Sequence, residues 1–432
     1  RMCLSGLYDQ IGGGFFRYSV DELWMIPHFE KMLYDNGPML EVLCKGYRKL
    51  NDDIYLYKIN QTCSWLINTM QDNNGGFYST IDADSENIEG KYYVWDEIEL
   101  QELLDENQYS ILKETFFVYN KPNFEGKYHF HVTKINEENY KNNISEFEAI
   151  KNKLIDARNK RIAPGIDKKI LVSWNSLAIT GLLESFKLTG KTKYYESARK
   201  CFDFIKQRMW KDDKLYACFH DEPCFDGYLD DYAYLSKNCI EFLKINWNED
   251  DFTFLQKLIK VLINNFQDKK NGGFFFTSNN HEELIYRPKT YSDESLPSGN
   301  SIATDACLEL ALITGNNLYL NIVDDSLKSA SDSIKRSSAS HCSLLSVGMD
   351  LISSKKLIVI RCDENILDEY KAKIFDIENS FDSFYFIKNN FEGLSDAMKD
   401  KKSIGSFTAY ICKDFVCSSP INSFEDLLNY LA

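Results

Sequence analysis

The chain has 432 residues, of which 65 are acidic and 50 are basic, so its formal net charge is -15. That charge repels a phosphate backbone, and the lysines form no basic stripe, which argues against nucleic acid as a partner. The mean hydropathy is -0.38 and no uninterrupted apolar run could span a bilayer, which argues against a membrane protein.

The N-terminal residues and the cysteines indicate a cellular location. The first ten residues include Gly6 and a polar stretch where a secretory signal peptide needs an apolar core. The 12 cysteines are scattered among helical segments, which is typical of buried thiols in a reducing compartment. We therefore predict a cytoplasmic protein. Cys412 and Cys417 lie close in sequence without a second pair or a nearby histidine, so we predict no metal and no cofactor.

Apolar residues recur at helical spacing through most of the first 350 residues, as at Leu40, Leu43, Cys44 and Tyr47. The spacing predicts helices at 33–50, 54–71, 96–118 with a break, 146–160, 174–189, 192–209, 228–246, 251–268, 298–314 and 317–335. After residue 353, short runs typical of buried strands alternate with helical stretches. We therefore predict a helical domain over 1–353 and a small α/β region over 354–432 with a packing or partner role.

A Gly-Gly-Phe sequence recurs between the predicted helices and ends at Phe15, Phe77 and Phe274, with a degenerate copy around Leu215. A repeat of about 60 to 70 residues corresponds to two helices and a connection. Six such helical hairpins would nearly fill the first 350 residues. Glycines at the turns allow close backbone approach. We therefore predict a mainly α fold, an (α/α)6 toroid with a central cavity, rather than an open solenoid.

The densest group of polar residues surrounds Pro27. If Pro27 occupies the first turn of a helix, then His28, Lys31 and Asp35 share one face, with Glu30 on the neighbouring face. We predict proton transfer by His28 and Glu30, because an imidazole pKa is easily moved across neutrality. The alternative is a buried ion-pair network that locks the first hairpin. The predicted ligand contacts in this segment are Arg17, Tyr18, Asp21, Trp24 and Tyr34.

Four further polar segments lie between predicted helices. Carboxylates beside tyrosine and tryptophan are typical of sugar sites, although a solvated acidic turn is the alternative for the first segment. Asp231 is the third candidate for proton transfer, because helix capping accounts for one of two adjacent acids but not obviously for both. The other predicted ligand contacts are Asp82, Asp84, Trp95, Trp174, Asn175, Asp230, Arg287 and Asn300.

Taken together, these segments resemble the spermatogenesis-associated protein 20-like family, also called YyaL-like or thioredoxin-domain-containing proteins. The resemblance extends over nearly the whole chain and is carried by IGGGFFRYSVDE, PHFEKMLYDN, DADSENIEGKYYVW, KKILVSWNSLAITGL, DGYLDDYAYL, RPKTYSDESLPSGNS and AYICKDFVCSSP. It implies a six-hairpin toroid similar to N-acylglucosamine 2-epimerases and six-hairpin glycosidases. It also implies a thioredoxin-like domain N-terminal to the toroid, which this sequence lacks. Phe16 stands where the family tends to have histidine.

Two functional hypotheses follow. In the first, the protein is an enzyme that acts on a small carbohydrate-like ligand, either an epimerase or isomerase with an acid and a base, or a glycosidase with two carboxylates. In the second, the toroid binds a glycan or a client protein without catalysis and the thioredoxin-like domain performs the chemistry. Redox chemistry by the chain's own cysteines has less support, because none lies in an evident electropositive setting.

Overall fold

The computed structural model describes residues 1–116, 121–282, 285–377 and 382–431. The chain divides into two compact units, Arg1–Phe204 and Ile205–Ala432. The domain boundary predicted between residues 353 and 354 lies elsewhere in the chain and stays a prediction.

The first unit contains the helices that the periodicity predicts, together with short strands. The helices are α1 (Leu33–Leu50), α2 (Asp53–Trp65), α3 (Glu97–Leu103), α4 (Glu106–Phe116), α5 (Glu137–Asn142), α6 (Ile144–Arg158), α7 (Val172–Thr189) and α8 (Thr192–Phe204). The strands are β1 (Tyr18–Ser19), β2 (Pro27–His28), β3 (Lys31–Met32), β4 (Thr80–Ile81), β5 (Asp84–Ser85), β6 (Ile88–Glu89), β7 (Ile166–Asp167) and β8 (Ile170–Leu171). Residues 117 and 118 of one predicted helix lie outside the described residues.

Helices α1 and α7 pack against each other along the first unit. Their closest approach is at two glycines, since a Cβ on Gly181 would lie 2.4 Å from the carbonyl oxygen of Gly37. Larger side chains would hold the two backbones apart. The contact brings the N-terminal turns of both helices together, so that the ring of Tyr34 on α1 packs edge-on against Trp174 on α7 at 4.8 Å.

The second unit continues the helical pairs and ends in a small sheet. Its helices are α9 (Leu229–Ile245), α10 (Glu249–Val261), α11 (Gly299–Thr314), α12 (Asn317–Arg336), α13 (Cys342–Ile352), α14 (Glu364–Ile377) and α15 (Phe424–Leu431). Its strands are β9 (Trp210–Lys211), β10 (Lys214–His220), β11 (Glu222–Asp226), β12 (Leu357–Cys362), β13 (Ser383–Lys388), β14 (Phe407–Lys413) and β15 (Val416–Cys417). The C-terminal sheet has the order β13-β12-β14-β15, with β12 parallel to β13 and antiparallel to β14.

The C-terminal sheet is joined to the helices of the second unit through Glu309 on α11. This side chain is buried and accepts hydrogen bonds from the hydroxyls of Ser383 at 2.6 Å and Tyr385 at 2.9 Å, both on β13. Lys355 forms an ion pair with the same carboxylate at 2.8 Å. A buried polar network of this kind fixes the relative position of the groups that share it. The α/β region is therefore part of the second compact unit.

Each Gly-Gly-Phe turn is held by a buried asparagine near the start of a helix. The asparagine side-chain oxygen accepts a hydrogen bond from the phenylalanine N–H at 2.7 Å, and its amide group donates to the carbonyl oxygen of the same phenylalanine. The pairs are Asn36 with Phe15, Asn175 with Phe77 and Asn300 with Phe274. In the degenerate copy, the hydroxyl of Tyr232 instead accepts from the N–H of Leu215. The geometry therefore gives Asn175 and Asn300 a structural role, and neither is kept among the proposed ligand contacts.

Cys412 and Cys417 form a disulfide between β14 and β15, which the expectation of reduced thiols throughout the chain did not include. The Lys401 ammonium lies 2.9 Å from the sulfur of Cys417. Most of the free cysteines are buried, as predicted.

No helix among the described residues is both long and apolar enough to cross a membrane. Within the same part of the chain, no group of three or more His, Cys, Asp or Glu side chains has the geometry to hold a metal ion.

Candidate functional site

The segment that follows Pro27 is extended, so Pro27 does not occupy the first turn of a helix, which is the condition for His28, Lys31 and Asp35 to share one face. Pro27–His28 forms β2 and pairs antiparallel with β1, whereas α1 begins only at Leu33. The extended conformation places the ring of Phe29 among buried aromatic residues, edge-on to Phe16 at 5.4 Å. Burial of that ring is a tertiary contact, which helix-start signals in the local sequence do not contain.

Alternation along this extended segment separates its side chains into two groups. His28 and Glu30 are half-buried, whereas Phe29 and Lys31 are almost completely buried. Successive side chains of an extended chain point to opposite sides, which accounts for the separation. The prediction that His28, Lys31 and Asp35 share one helical face is therefore wrong.

His28 and Glu30 belong to a group of polar side chains in the first unit that we call the His28 cluster. Its members are Arg17, His28, Glu30, Tyr34, Asp35 and Glu89. Arg17 Nη1 donates to Glu30 Oε2 at 3.1 Å, and Arg17 Nε donates to the Tyr34 hydroxyl at 3.1 Å. His28 Nε2 lies 3.9 Å from Glu30 Oε2. The cluster combines a guanidinium, an imidazole and the carboxylate of Glu30 in contact, and the charges of Arg17 and Glu30 also act on Asp35.

Glu89 enters the cluster through the β5–β6 hairpin. Glu86 and Asn87, at the tip of the hairpin, have φ values of 54° and 60°, as a tight two-residue hairpin turn requires. The hairpin brings Glu89 Oε1 to 2.7 Å from His28 Nδ1. If Nδ1 donates its proton to this carboxylate, Nε2 is left as the proton acceptor. The local sequence around Glu89 is typical of a solvated acidic turn and does not predict this contact, which joins residues 61 positions apart.

Asp35 lies in the first turn of α1, and its surroundings change the pKa of its carboxyl group. Burial raises the pKa of Asp35 to about 7, against the opposing charge of Arg17, and the charge of Glu30 makes a smaller contribution in the same direction as burial. Among the described residues, its Oδ2 has no hydrogen-bond partner. A carboxyl group of this kind can donate a proton near neutral pH. Asp35 is absent from the predicted site residues, because its raised pKa comes from burial, which the local sequence does not contain.

The aromatic residues of the segment lie beside the cluster. The ring of Tyr18 stacks on His28 with a centroid distance of 5.0 Å, and Trp174 contacts Tyr34 as described above. Trp24 lies in the loop between β1 and β2 with a φ of 59° and is exposed. These rings are placed to pack against the apolar face of a ligand.

Asp21 instead holds the loop between β1 and β2 in shape. Its carboxylate accepts hydrogen bonds from the backbone N–H groups of Leu23, Met25 and Ile26. Although burial opposes the change, these hydrogen bonds lower the pKa of Asp21 below its ordinary value. The carboxylate already accepts hydrogen bonds from its own loop, so Asp21 is not kept as a ligand contact.

Trp95 is enclosed in the core of the first unit. Its side chain has no exposed surface, and the guanidinium of Arg161 lies 4.0 Å from its ring centroid. A ligand cannot reach this ring without displacing the core, so Trp95 is not kept as a ligand contact. Asp82 and Asp84 are exposed on the neighbouring connection, and both stay predictions.

In the second unit, the adjacent acids at the start of α9 have different surroundings. Asp231 is buried and its carboxylate accepts a hydrogen bond from the N–H of Tyr228 at 2.9 Å, which is a helix-capping contact. Burial raises the pKa of Asp230 to about 7, and the neighbouring charge of Asp231 raises it further. Asp230 is therefore the better proton donor of the two.

Arg287, also in the second unit, is hydrogen-bonded to backbone carbonyl groups of the same unit. Its guanidinium donates to the carbonyl oxygens of Asn265 and Thr277 and lies 4.2 Å from the ring centroid of Phe275. These contacts stabilise the connection before α11. Arg287 is therefore not kept as a ligand contact.

Comparison with solved structures identifies the class of fold. Cellobiose 2-epimerase from Spirochaeta thermophila matches with a TM-score of 0.50 and 10% identity, over 77% of this chain and 66% of the epimerase. A family 76 α-mannanase from Bacteroides thetaiotaomicron matches with a TM-score of 0.43 and 11% identity, over 80% of this chain and 73% of the mannanase. The first match supports the predicted fold class, a mainly α fold of the (α/α)6 toroid type.

Curated relatives show which proteins the chain resembles in sequence. An uncharacterized protein of Caenorhabditis elegans is 26% identical over 99% of this chain and 64% of its own length. Spermatogenesis-associated protein 20 is 27% identical in Mus musculus, over 74% of this chain and 46% of the relative, and 24% identical in Homo sapiens, over 97% and 60%. These relatives confirm the resemblance predicted from the sequence segments. No family model matches the chain, and the chain spans about half to two thirds of the relatives' length.

Proposed function

We propose that the His28 cluster binds a sugar or sugar derivative and transfers a proton on it, as a sugar epimerase or isomerase does. The observation that carries this proposal is the Asp35 carboxyl group, whose pKa burial raises to about 7, near the ion pair of Glu30 with Arg17. A buried carboxyl group that holds its proton near neutral pH is suited to act as a general acid. The fold by itself does not specify a reaction.

Each member of the cluster has a role in this proposal. Asp35 donates a proton, and the Nε2 atom of His28, oriented by Glu89, accepts one. Arg17, held by Glu30, binds a ligand oxygen. The exposed and half-buried rings pack on the apolar face of the sugar; they are Tyr18, Trp24, Tyr34 and Trp174. In the second unit, Asp230 is a separate candidate for proton transfer in place of Asp231, because its pKa is raised to about 7.

The test is proton exchange with solvent. The protein is incubated in D2O with a panel of aldoses, ketoses and β-linked disaccharides, and proton NMR follows the loss of the signal beside the carbonyl carbon and the appearance of an epimer or isomer. We expect exchange by the wild-type protein and a loss of at least about 100-fold in Asp35→Asn, the usual size of a general acid–base contribution. Glu22→Gln, an exposed acid in the same segment, is the control and keeps the wild-type rate.

A parallel thermal-shift screen with the same sugars separates the alternatives. A sugar that stabilises the protein but never exchanges a proton contradicts the enzyme proposal and supports the non-catalytic binding module. Release of a reducing end without epimerisation supports hydrolysis instead. Exchange at the same rate in Asp35→Asn shows that the acid has been assigned to the wrong residue. The cytoplasmic location and the N-terminal thioredoxin-like domain stay predictions.

A further inference from the structure

The first unit contains a cavity of about 440 Å³ that lies apart from the His28 cluster, between α2 and α6. Asp9, Lys31 and Arg158 line the cavity together with the aromatic rings of Trp65 and Tyr92. A second pocket of about 400 Å³ adjoins it and shares part of its lining. The volume is in the range of sites for small molecules.

The three charged residues form a buried triad that we call the Asp9 triad. Lys31 Nζ donates to Asp9 Oδ2 at 2.8 Å, and Arg158 Nη1 lies 3.0 Å from both carboxylate oxygens. All three are buried: Lys31 is 1% exposed, Asp9 is 4% exposed and Arg158 is 6% exposed. Two buried cations therefore share one carboxylate, which leaves a positive charge without a counter-charge in the triad. Buried charges without compensation are costly, and a bound anion would supply the compensation.

Arg158 has donors left over for such an anion. Nη1 donates both hydrogen bonds to Asp9, and Nε is buried without a partner within the part of the chain that the structure describes. A Cβ at position 12 would lie 1.9 Å from Nη2, so only Gly12 leaves room for the guanidinium. A guanidinium with unused N–H groups matches the oxygens of a phosphate or carboxylate.

The adjoining pocket has the same sign of charge. Lys151, Lys191 and Lys193 line it, with Glu148 as the acid that pairs with Lys151 at 3.2 Å. Over both pockets the lining residues therefore include five basic and two acidic side chains. In a chain whose net charge is -15, this local excess of positive charge favours an anionic ligand.

We propose that this cavity binds a small organic anion, with its phosphate or carboxylate group against Arg158 and Lys31. The ring or apolar part of the ligand packs on Trp65 and Tyr92, which line the same space. The site is separate from the proposed sugar site, because Lys31 and the pair His28 and Glu30 lie on opposite sides of the extended segment.

The protonation of Lys31 agrees with this geometry. Burial lowers the pKa of Lys31 to about 8, and the charge of Arg158 lowers it as well, against the opposing effect of Asp9. A bound anion favours the charged ammonium and raises this pKa. Binding therefore takes up protons near pH 8, and the affinity for the anion falls as the pH rises above about 8.

Isothermal titration calorimetry on the full chain tests the proposal with four probes: inorganic phosphate, glucose 6-phosphate, citrate and neutral glucose. We expect at least one anion to bind with a Kd below about 1 mM, the level of a weak specific site, and glucose not to compete with it. Binding of the phosphates alone identifies a phosphate site, and binding of citrate alone identifies a carboxylate site.

Two tryptophan variants in one loop provide a matched pair. Ala163 lines the cavity, and Ala163→Trp places an indole in it while the residues of the Asp9 triad stay unsubstituted, so we expect the anion to bind at least about 10-fold more weakly. Ile162 is the adjacent residue and is 63% exposed, and Ile162→Trp keeps the wild-type affinity. Lys31→Met removes the excess charge and also weakens binding.

Three results would overturn the proposal. They are the absence of binding by all three anions, equal affinity in Ala163→Trp and wild type, and loss of anion binding in Asp35→Asn. The last result would move the anion to the His28 cluster. Conversely, anion binding that persists in Asp35→Asn supports this site whether or not the sugar proposal holds.

Discussion

One extended segment, residues 27–32, contributes residues to both the His28 cluster and the Asp9 triad. On one side, Glu30 and Arg17 form an ion pair whose side chains are 21% and 44% exposed. On the other side, Lys31 is buried with Asp9 and Arg158. Water screens the first pair, whereas the triad relies on its own members for compensation.

The difference shows that a dense run of charged residues in a sequence can have two meanings at once. A half-exposed ion pair contributes about 0 to 1 kcal/mol to stability, so its residues are available for ligand chemistry. Removal of one partner from a buried pair costs about 3 to 5 kcal/mol, because the other charge is left uncompensated. The ion-pair alternative for this segment therefore holds for Lys31, whereas the catalytic hypothesis for His28 and Glu30 stays a proposal.

The largest expected effect is on the free energy of unfolding when the triad loses its acid. In Asp9→Asn, Lys31 and Arg158 remain buried without a counter-charge, and we expect a loss of about 3 to 5 kcal/mol. Urea unfolding followed by circular dichroism measures it. The matched change on the other side of the segment is Glu30→Gln, for which we expect a loss below about 1 kcal/mol. Equal losses in the two variants would contradict the distinction between the two regions.

An intermediate effect is expected at the contact between α1 and α7. In Gly181→Ala, the added Cβ meets the carbonyl oxygen of Gly37, and overpacking of this kind costs about 1 to 3 kcal/mol. Because the contact sets the distance between Tyr34 and Trp174, we also expect slower sugar exchange, while anion binding at the Asp9 triad is unchanged. Calorimetric unfolding and the two ligand assays measure these effects.

The control for this substitution is Gly348→Ala in α13. There the nearest atom to an added Cβ is 3.5 Å away, which is ordinary contact, and alanine favours the helix. A loss of stability in this variant as large as in Gly181→Ala would mean that the close approach of the two helices is not the cause.

The smallest expected effect is the pH dependence of stability due to Asp35. Its pKa is raised in the folded protein, so the folded state binds the proton more tightly than the unfolded chain does. The contribution of this protonation to stability is fully present below the ordinary pKa of aspartate, about 4, and it is lost as the pH rises through about 7. We expect Asp35→Asn to gain on the order of 1 kcal/mol relative to wild type between pH 4.5 and pH 8, after allowance for solvent screening.

Urea unfolding at both pH values, with Glu22→Gln as the control, measures this difference. A constant difference between Asp35→Asn and wild type across the range would show that Asp35 titrates like an exposed carboxyl group. In that case the proposed proton donor would lose its main support, while the proposal for the Asp9 triad would be unaffected.

Much of the fold was predictable because its signals are local. The predicted helix at 33–50 coincides with α1, and the Gly-Gly-Phe repeat marks turns that are each held by a buried asparagine. The strands predicted after residue 353 correspond to β12, β13 and β14. Helical periodicity and glycine at positive φ are properties of a few consecutive residues, so sequence alone contains them.

Local signals in the sequence are enough to predict the helices, the repeat and the family resemblance, and they mark the segment that carries the charged residues. Which of those residues contact each other depends on the folded chain. Glu89 reaches His28 across 61 residues, and Arg158 reaches Asp9 across 149. Burial and charge pairing depend on long-range packing, which buries Lys31 and leaves the adjacent residue Glu30 half-buried.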